Sequence, residues 1–168
     1  YLKLLDPLGR RVHRTKVELS GEEIKTYLHR IFQNTLDENE IKLLVSKDFK
    51  ATKIECMSSA LLGAFVNIMD NAIYWVANGA SNEKKIWLGT IPEGFKISNS
   101  GPGIEERHRE RIFEFGETTK PGGRGMGLSI SKETLQKEGF DLELIQSGKN
   151  TNPVFLIRTQ MDDEKVQQ

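Results

Sequence analysis

Asparagine side chains recur along one apolar stretch of the chain. Asn67, Asn71, Tyr74 and Asn78 stand four, three and four residues apart, which puts them on one face of a helix. A buried amide without a partner costs on the order of 1–3 kcal/mol, so this stripe either bonds to neighbouring backbone or lines a polar cavity. Amide oxygens are hard ligands that suit Mg²⁺, which also relies on water and substrate phosphates. Taken alone, the stripe favours bonding to the backbone.

A glycine-rich segment could bind an anion. Residues 122–129, GGRGMGLS, place four glycines directly before a predicted helix. Free backbone N–H groups and the positive helix end favour phosphate there, and hydroxyl or cationic side chains lie in the same loop at Thr118, Thr119, Lys120 and Arg124. The glycine spacing fits neither a Rossmann fingerprint nor a P-loop. By itself, the segment is equally consistent with a phosphate site and with a flexible hinge.

A second glycine signal, Gly101-Pro102-Gly103, follows a predicted strand. Glycines there permit a positive φ and a close approach of a ligand to the backbone. Alone, this tripeptide is an ordinary turn.

The hydrophobic pattern predicts the elements that carry these motifs. Ser20 and Glu23 form a capping box for a helix over about 21–34, a central helix begins at Ser58, and a third covers 128–137. Residues 105–112 read as a charge-dense helix start, and a turn is expected around Asp48. Strands are predicted at 41–45, 54–57, 85–90, 95–98, 142–146 and 154–158, with Val17 and Leu19 alternating before the first helix. This order predicts an α+β fold, a two-layer sandwich with helices on one face of a mixed sheet.

Composition bounds the function. The 168 residues include 24 Lys+Arg and 24 Asp+Glu, so we expect no nucleic-acid partner. One cysteine, Cys56, indicates a reducing, cytoplasmic setting. Asn67, Asp70 and Asn71 interrupt the most apolar stretch, 60–80, which argues against a membrane span and against membrane contact by this segment.

Because the chain begins at Tyr1 rather than Met, we expect a piece of a longer protein that could itself be membrane-anchored. Its expected parts are a linker or the end of a helical segment (1–16), one domain (17–160) and a polar tail (161–168).

The motifs NIMDNA, NSGPGI, IFEFGETTK and GGRGMGLSI, in this order, resemble the ATP-binding domain of sensor histidine kinases. That domain belongs to the GHKL group, together with gyrase and the heat-shock chaperones. The resemblance covers about 17–158. It implies the Bergerat-type fold, a two-layer α/β sandwich with a mixed, mostly antiparallel sheet and a mobile ATP lid at about 105–123.

The resemblance also implies roles for particular residues. Asn67 and Asn71 would hold Mg²⁺, and Asn67 and Asp70 are the candidates for catalysis. ATP would contact Asn71, Tyr74, Asn99, Gly101, Gly103, Ile104, Phe113, Thr118, Thr119, Lys120, Gly123, Arg124, Gly125, Met126, Gly127 and Leu128. Two positions depart from the family pattern: Asn99 replaces the usual Asp beside adenine, and Ser100 replaces the usual Asn.

The implied activity is transfer of the γ-phosphate of Mg-ATP to a histidine on another domain. The partner would be a dimerisation and phosphoacceptor domain or a response regulator, because His13, His29 and His108 lack the acceptor pattern. Two alternatives stay open: a GHKL ATPase or conformational switch, and a domain that only binds nucleotide. The ATPase branch uses a Glu one turn before the metal-binding Asn, where this chain has Asn67, which cannot accept a proton.

Overall fold

A computed structural model describes residues 15–118, 120, 123, 125–146, 148 and 150–160. The predicted polar tail, and the predicted linker except its last two residues, lie outside this part. Its strands are β1 (Val17–Ser20), β2 (Lys42–Val45), β3 (Lys53–Cys56), β4 (Lys85–Ile91), β5 (Gly94–Asn99), β6 (Phe140–Gln146) and β7 (Val154–Thr159). Its α-helices are α1 (Gly21–Glu38), α2 (Lys47–Ala51), α3 (Ser58–Ala77) and α4 (Gly127–Lys137).

The main sheet has five strands in the order β2-β4-β5-β7-β6, and β1 pairs with β3 in a separate two-stranded sheet. β2 and β4 are parallel, whereas the other pairs of the main sheet are antiparallel. The hydrophobic core lies between this sheet and the helices, where α3 contacts β4 and β5 and α4 contacts β6. The α+β prediction, with a mixed and mostly antiparallel sheet, is confirmed.

Helix α1 begins where the sequence predicts. The Ser20 side chain accepts from the backbone of Glu23, whose carboxylate accepts in turn from the backbone of Ser20. These hydrogen bonds lower the pKa of the Glu23 carboxyl. The helix continues to Glu38, four residues beyond the predicted end, because Leu36 extends its buried apolar stripe.

The turn expected around Asp48 is wrong, because this segment forms α2. Ser46 caps that helix by accepting from the backbone of Phe49. The Phe49 ring packs against Phe65 of α3 and Phe95 of β5, with ring centroids 5.9 and 5.2 Å away. Burial of this ring against distant elements stabilises a helix too short to form by propensity.

The helix start expected at 105–112 is also wrong in type. The segment forms two 3₁₀ turns, Glu106–His108 and Arg111–Phe113. Only Ile112 and Phe113 of these turns pack against the core, which leaves no apolar face long enough to hold an α-helix.

Helix α3 is the central element of the fold. By length and composition it is apolar enough to cross a membrane, and half of its most apolar stretch is buried inside the fold. It contacts α1, α4, β4 and β5. Its partly polar face is therefore the surface on which the asparagine stripe is presented.

Candidate functional site

Asn67 joins the two helices that carry the sequence motifs. Its Nδ2 donates to the backbone oxygen of Gly127 at 3.1 Å and to Oγ of Ser131 at 2.8 Å. Ser131 is only 3% exposed, so α4 is anchored to α3 at a shielded point. Because both N–H groups of Asn67 are used, its Oδ1 is left to accept from, or coordinate, another group.

The second asparagine of the stripe is available to a ligand. Asn71 is half-buried, and its side chain makes no hydrogen bond with any part of the chain that the structure describes. It stands one turn after Asn67 on α3, so the two amides are neighbours. The part of the chain described here has no group of three or more His, Cys, Asp or Glu positioned for a metal. A cation at this place would therefore depend on the two amide oxygens and on ligand oxygens, a donor set that fits Mg²⁺.

Helix α4 begins beside Asn67. It starts at Gly127, and no side chain caps it at Met126. The N–H groups of its first turn therefore have no intrahelical partner, and they carry the positive end of the helix dipole. Together with Asn67 on α3, they form a site suited to a phosphate group.

The glycines before α4 pack closely against other residues of the same loop. Gly125 has φ +65°, and a Cβ there would lie 2.4 Å from the backbone carbon of Gly116. Gly116 N donates to Gly125 O at 2.8 Å, while a Cβ on Gly123 would lie 2.7 Å from Oγ1 of Thr118. The loop's own packing thus requires glycine at 125, whereas a side chain at 123 would displace the Thr118 hydroxyl. Thr119 and Arg124, also predicted to contact ATP, lie outside the described residues.

Lys120 connects this loop to the exposed side of α3. Its Nζ lies 3.3 Å from Oδ2 of Asp70 and 5.0 Å from the centre of the Tyr74 ring. Asp70 and Tyr74 were predicted on the central helix and Lys120 in the glycine-rich loop, and the structure brings Lys120 into contact with both. Asp70, the candidate base, is two-thirds exposed and ion-paired.

The loop that contains Gly101 and Gly103 packs against the C-terminal part of α3. Asn99, at the end of β5, is 4% exposed, and its Oδ1 accepts from the backbone N–H of Gly101 at 2.8 Å. A Cβ on Gly101 would lie 3.2 Å from the backbone carbon of Trp75 on α3. From Asn67 to Trp75 the helix rises about 12 Å, so α3 extends from the start of α4 to the loop at Gly101.

Gly103 and Ile104 pack beneath the connection between β6 and β7. A Cβ on Gly103 would lie 2.0 Å from the backbone oxygen of Gly148 and 2.4 Å from that of Thr151. Ile104 O accepts from Gly148 N. Glycine at 103 is therefore required by chain packing, which the sequence could not distinguish from ligand approach.

Phe113 and Leu128 are turned towards the core. The Phe113 ring centroid lies 6.4 Å from that of Phe155, and Lys132 Nζ lies 4.7 Å from its centre. These contacts direct Phe113 to the β6 side of the fold rather than to the asparagine stripe.

Two contacts of the site were missed at the sequence level. Ser131 lies on the buried face of α4, four residues after Gly127 and four before Leu135, a helical spacing that could have identified it. Trp75 supports Gly101 through a contact between distant segments, for which the sequence carries no local signal.

A polar cleft of about 430 Å³ lies apart from the stripe, beside the edge strand β6. Its charges are largely paired: Lys132 with Asp141 at 3.1 Å and Arg158 with Glu143 at 2.8 Å. Lys132 and Arg109 also donate to the backbone oxygens of Leu142 and Leu144 on this edge. The cleft therefore offers little uncompensated charge to an anion.

Known proteins share the sequence and fold of this chain. The family model described as "Histidine kinase-, DNA gyrase B-, and HSP90-like ATPase" matches residues 57–161. The swarming motility regulation sensor protein RssA of Serratia marcescens is 33% identical over 103 residues, 58% of this chain and 22% of that protein. The adaptive-response sensory kinase SasA of Crocosphaera subtropica is 29% identical over 134 residues, 75% of this chain and 34% of that protein. The chain thus spans about a fifth to a third of these relatives.

Solved structures agree. The catalytic domain of histidine kinase ThkA superposes with a TM-score of 0.68 at 25% identity, covering 89% of this chain and 98% of that domain. Full-length ShkA in complex with AMPPNP gives 0.70 at 19% identity, covering 86% of this chain and 30% of that one, a likeness of fold alone. The matched motifs, the sheet and these relatives lead to one conclusion: the chain belongs to the histidine kinase-, DNA gyrase B- and HSP90-like ATPase family, and its matched relatives are sensor histidine kinases.

Proposed function

We propose that this chain binds a magnesium nucleoside triphosphate between α3 and the start of α4 and acts as the catalytic domain of a histidine kinase. One observation carries the proposal: Asn67 lies beside the uncapped first turn of α4, and among the described residues neither its Oδ1 nor the amide of Asn71, one helical turn further on, has a hydrogen-bond partner. Hard oxygen donors beside free N–H groups are what a metal–phosphate unit requires.

Each element then has a role in binding. Asn71 and Oδ1 of Asn67 hold Mg²⁺, which offsets the negative charge of the phosphates when bound. The N–H groups from Gly127 onward hold the phosphate chain. Lys120 leaves Asp70 to pair with phosphate oxygens, because a triphosphate carries more charge than one exposed carboxylate. Asn99 and the Gly101 loop face the base.

The γ-phosphate passes to a histidine outside this segment, on a dimerisation domain or a partner, and a response regulator acts downstream. An external acceptor is favoured because His13, His29 and His108 lack the acceptor pattern. The matched relatives are much longer sensor proteins, which provides room for an acceptor domain. We place this domain in the cytoplasm, with any membrane anchor elsewhere in the parent protein.

The site favours phosphotransfer over hydrolysis as an ATPase. A water-activating base is expected one turn before Asn71, where Asn67 has no proton-accepting group at neutral pH and uses both N–H groups on α4.

Calorimetric titration with ATP and Mg²⁺ tests the proposal. The native chain should bind, and Asn71→Ala should lose magnesium-dependent binding while keeping its thermal unfolding transition. Asn78→Ala is the matched control, because Asn78 is exposed on the same stripe and, among the described residues, its amide donates to Tyr74 O alone. Equal affinity of native chain and Asn71→Ala would exclude the metal role, and failure of the native chain to bind any magnesium nucleoside triphosphate would exclude the function.

A further inference from the structure

The orientation of the Asn99 amide is fixed by its backbone neighbour. The group 2.8 Å from its side chain is the N–H of Gly101, a donor. Only Oδ1 can accept this bond, since rotating the amide would turn its NH₂ towards another N–H. The Nδ2 group must therefore point to the opposite side.

That Nδ2 group has no acceptor in the part of the chain that the structure describes. Three buried polar side chains occur there: Asn99, Ser100 and Ser131. Ser100 Oγ accepts from Lys85 N, and Ser131 Oγ accepts from Asn67. Every fully enclosed side-chain nitrogen or oxygen described has a partner, so Nδ2 of Asn99 is not fully enclosed and keeps some accessible surface. A residue that is only 4% exposed thus retains a donor that a bound group could use.

From this geometry we infer that the site prefers nucleotides whose purine carries a carbonyl at position 6, such as GTP and ITP, over ATP. The inference rests on the proposed function, in which Asn99 faces the base. The exocyclic amine of adenine is a donor and would meet the Nδ2 donor, whereas a 6-carbonyl oxygen accepts from it. A mismatched pair leaves both donors buried and unpaired, which lowers affinity more than the loss of a bond alone.

An aspartate at this position would act differently. One carboxylate oxygen would accept from Gly101 N–H, and the second would face the base and accept from an amine. Asn99→Asp therefore replaces a donor by an acceptor at the base without moving the backbone, and the preference should move towards ATP.

The experiment measures dissociation constants of the chain for Mg-ATP, Mg-GTP and Mg-ITP by calorimetry. In the native chain, the dissociation constants for GTP and ITP should be lower than that for ATP. ITP matches ATP except at the six position and the adjoining N1, so it isolates this part of the base from the 2-amino group of guanine. Asn99→Asp should shift the ATP-to-ITP ratio about tenfold towards ATP. Asn82→Asp, which adds the same charge at an exposed position, should leave the ratio unchanged.

The possible results distinguish failure of the base preference from failure of the proposed nucleotide binding. A native constant for ATP at or below those for GTP and ITP overturns the base preference and leaves nucleotide binding intact. If Asn99→Asp keeps native thermal unfolding but leaves the ATP-to-ITP ratio of dissociation constants unchanged, the base preference is also overturned. If none of the three nucleotides binds, the proposed function fails and the inference with it. The native comparison decides the question even if Asn99→Asp does not fold.

Discussion

Replacing Ser131 by alanine removes the side-chain acceptor that Asn67 uses on α4. In the native chain the two side chains are 2.8 Å apart and Ser131 is almost fully buried. Among the described residues, the variant leaves Asn67 its bond to Gly127 O alone. We expect the start of α4 to be held less firmly against α3, with lower stability and weaker nucleotide binding.

The size of the effect follows from the bond. A neutral hydrogen bond contributes about 0.5–1.5 kcal/mol net, and an amide hydrogen left unpaired adds to its loss. We therefore expect the free energy of unfolding to fall by about 1.5 kcal/mol. For a domain of this size, that lowers Tm by roughly 3–6 °C. The dissociation constant for the nucleotide should rise several-fold, because about 1 kcal/mol corresponds to a factor of about five.

A double-mutant cycle gives the assay. Urea unfolding of Asn67→Ala, Ser131→Ala and the double variant should yield a coupling energy of about 1 kcal/mol between the two side chains. Thr134→Ala is the control, since Thr134 is half-buried on the same helix and should not couple to Asn67. A coupling energy below about 0.3 kcal/mol, the usual error of additivity, would refute the anchoring role of Ser131.

Three further predictions test the packing, the pH response and the chemistry. Gly103→Ala should lower the free energy of unfolding by about 2 kcal/mol or more, because its Cβ would lie 2.0 Å from a backbone oxygen. Gly89→Ala is the control: its Cβ would have no atom within 4 Å, so it should change the free energy of unfolding little in the same urea titration. Burial raises the pKa of the Cys56 thiol from 9.0 to about 11. Because the unfolded chain loses this proton more readily than the folded one, the thiol's contribution to the free energy of unfolding is complete below pH 9 and is lost as pH rises towards 11. Cys56→Ala should show a shallower loss of stability over that interval, and an identical slope would contradict the assignment. Without a carboxylate at position 67, the isolated chain should hydrolyse ATP far more slowly than about 10 per second, the enzyme median, and a phosphate-release assay that reaches this rate would favour an ATPase.

Local signals in the sequence were sufficient for much of the fold. The Ser20–Glu23 capping box fixed the start of α1, and alternating residues located the hairpin of β4 and β5. The order of the motifs was sufficient to predict the family and the sandwich. The capping box and the hairpin depend on residues that are close in the chain, and each motif is itself a short local segment.

Features that depend on distant contacts were not predictable in the same way. α2 forms because Phe49 packs against Phe65 and Phe95, and nothing near Asp48 signals those rings. The glycines of the site could be located, but their steric reasons involve remote backbone, as at Gly103. The direction of the Asn99 amide depends on the turn that follows β5, so the sequence left its donor and acceptor interchangeable.

Hydrogen–deuterium exchange, with and without a magnesium nucleotide, tests the central claim most directly, because it reports where the phosphates bind. We predict slower exchange at the amides of 127–129, in the uncapped first turn of α4, and in the loop at 99–101. We predict no change in the β6-side cleft that contains Arg109 and Lys132. Protection confined to that cleft, or unchanged exchange at 127–129 under saturating nucleotide, would contradict the account.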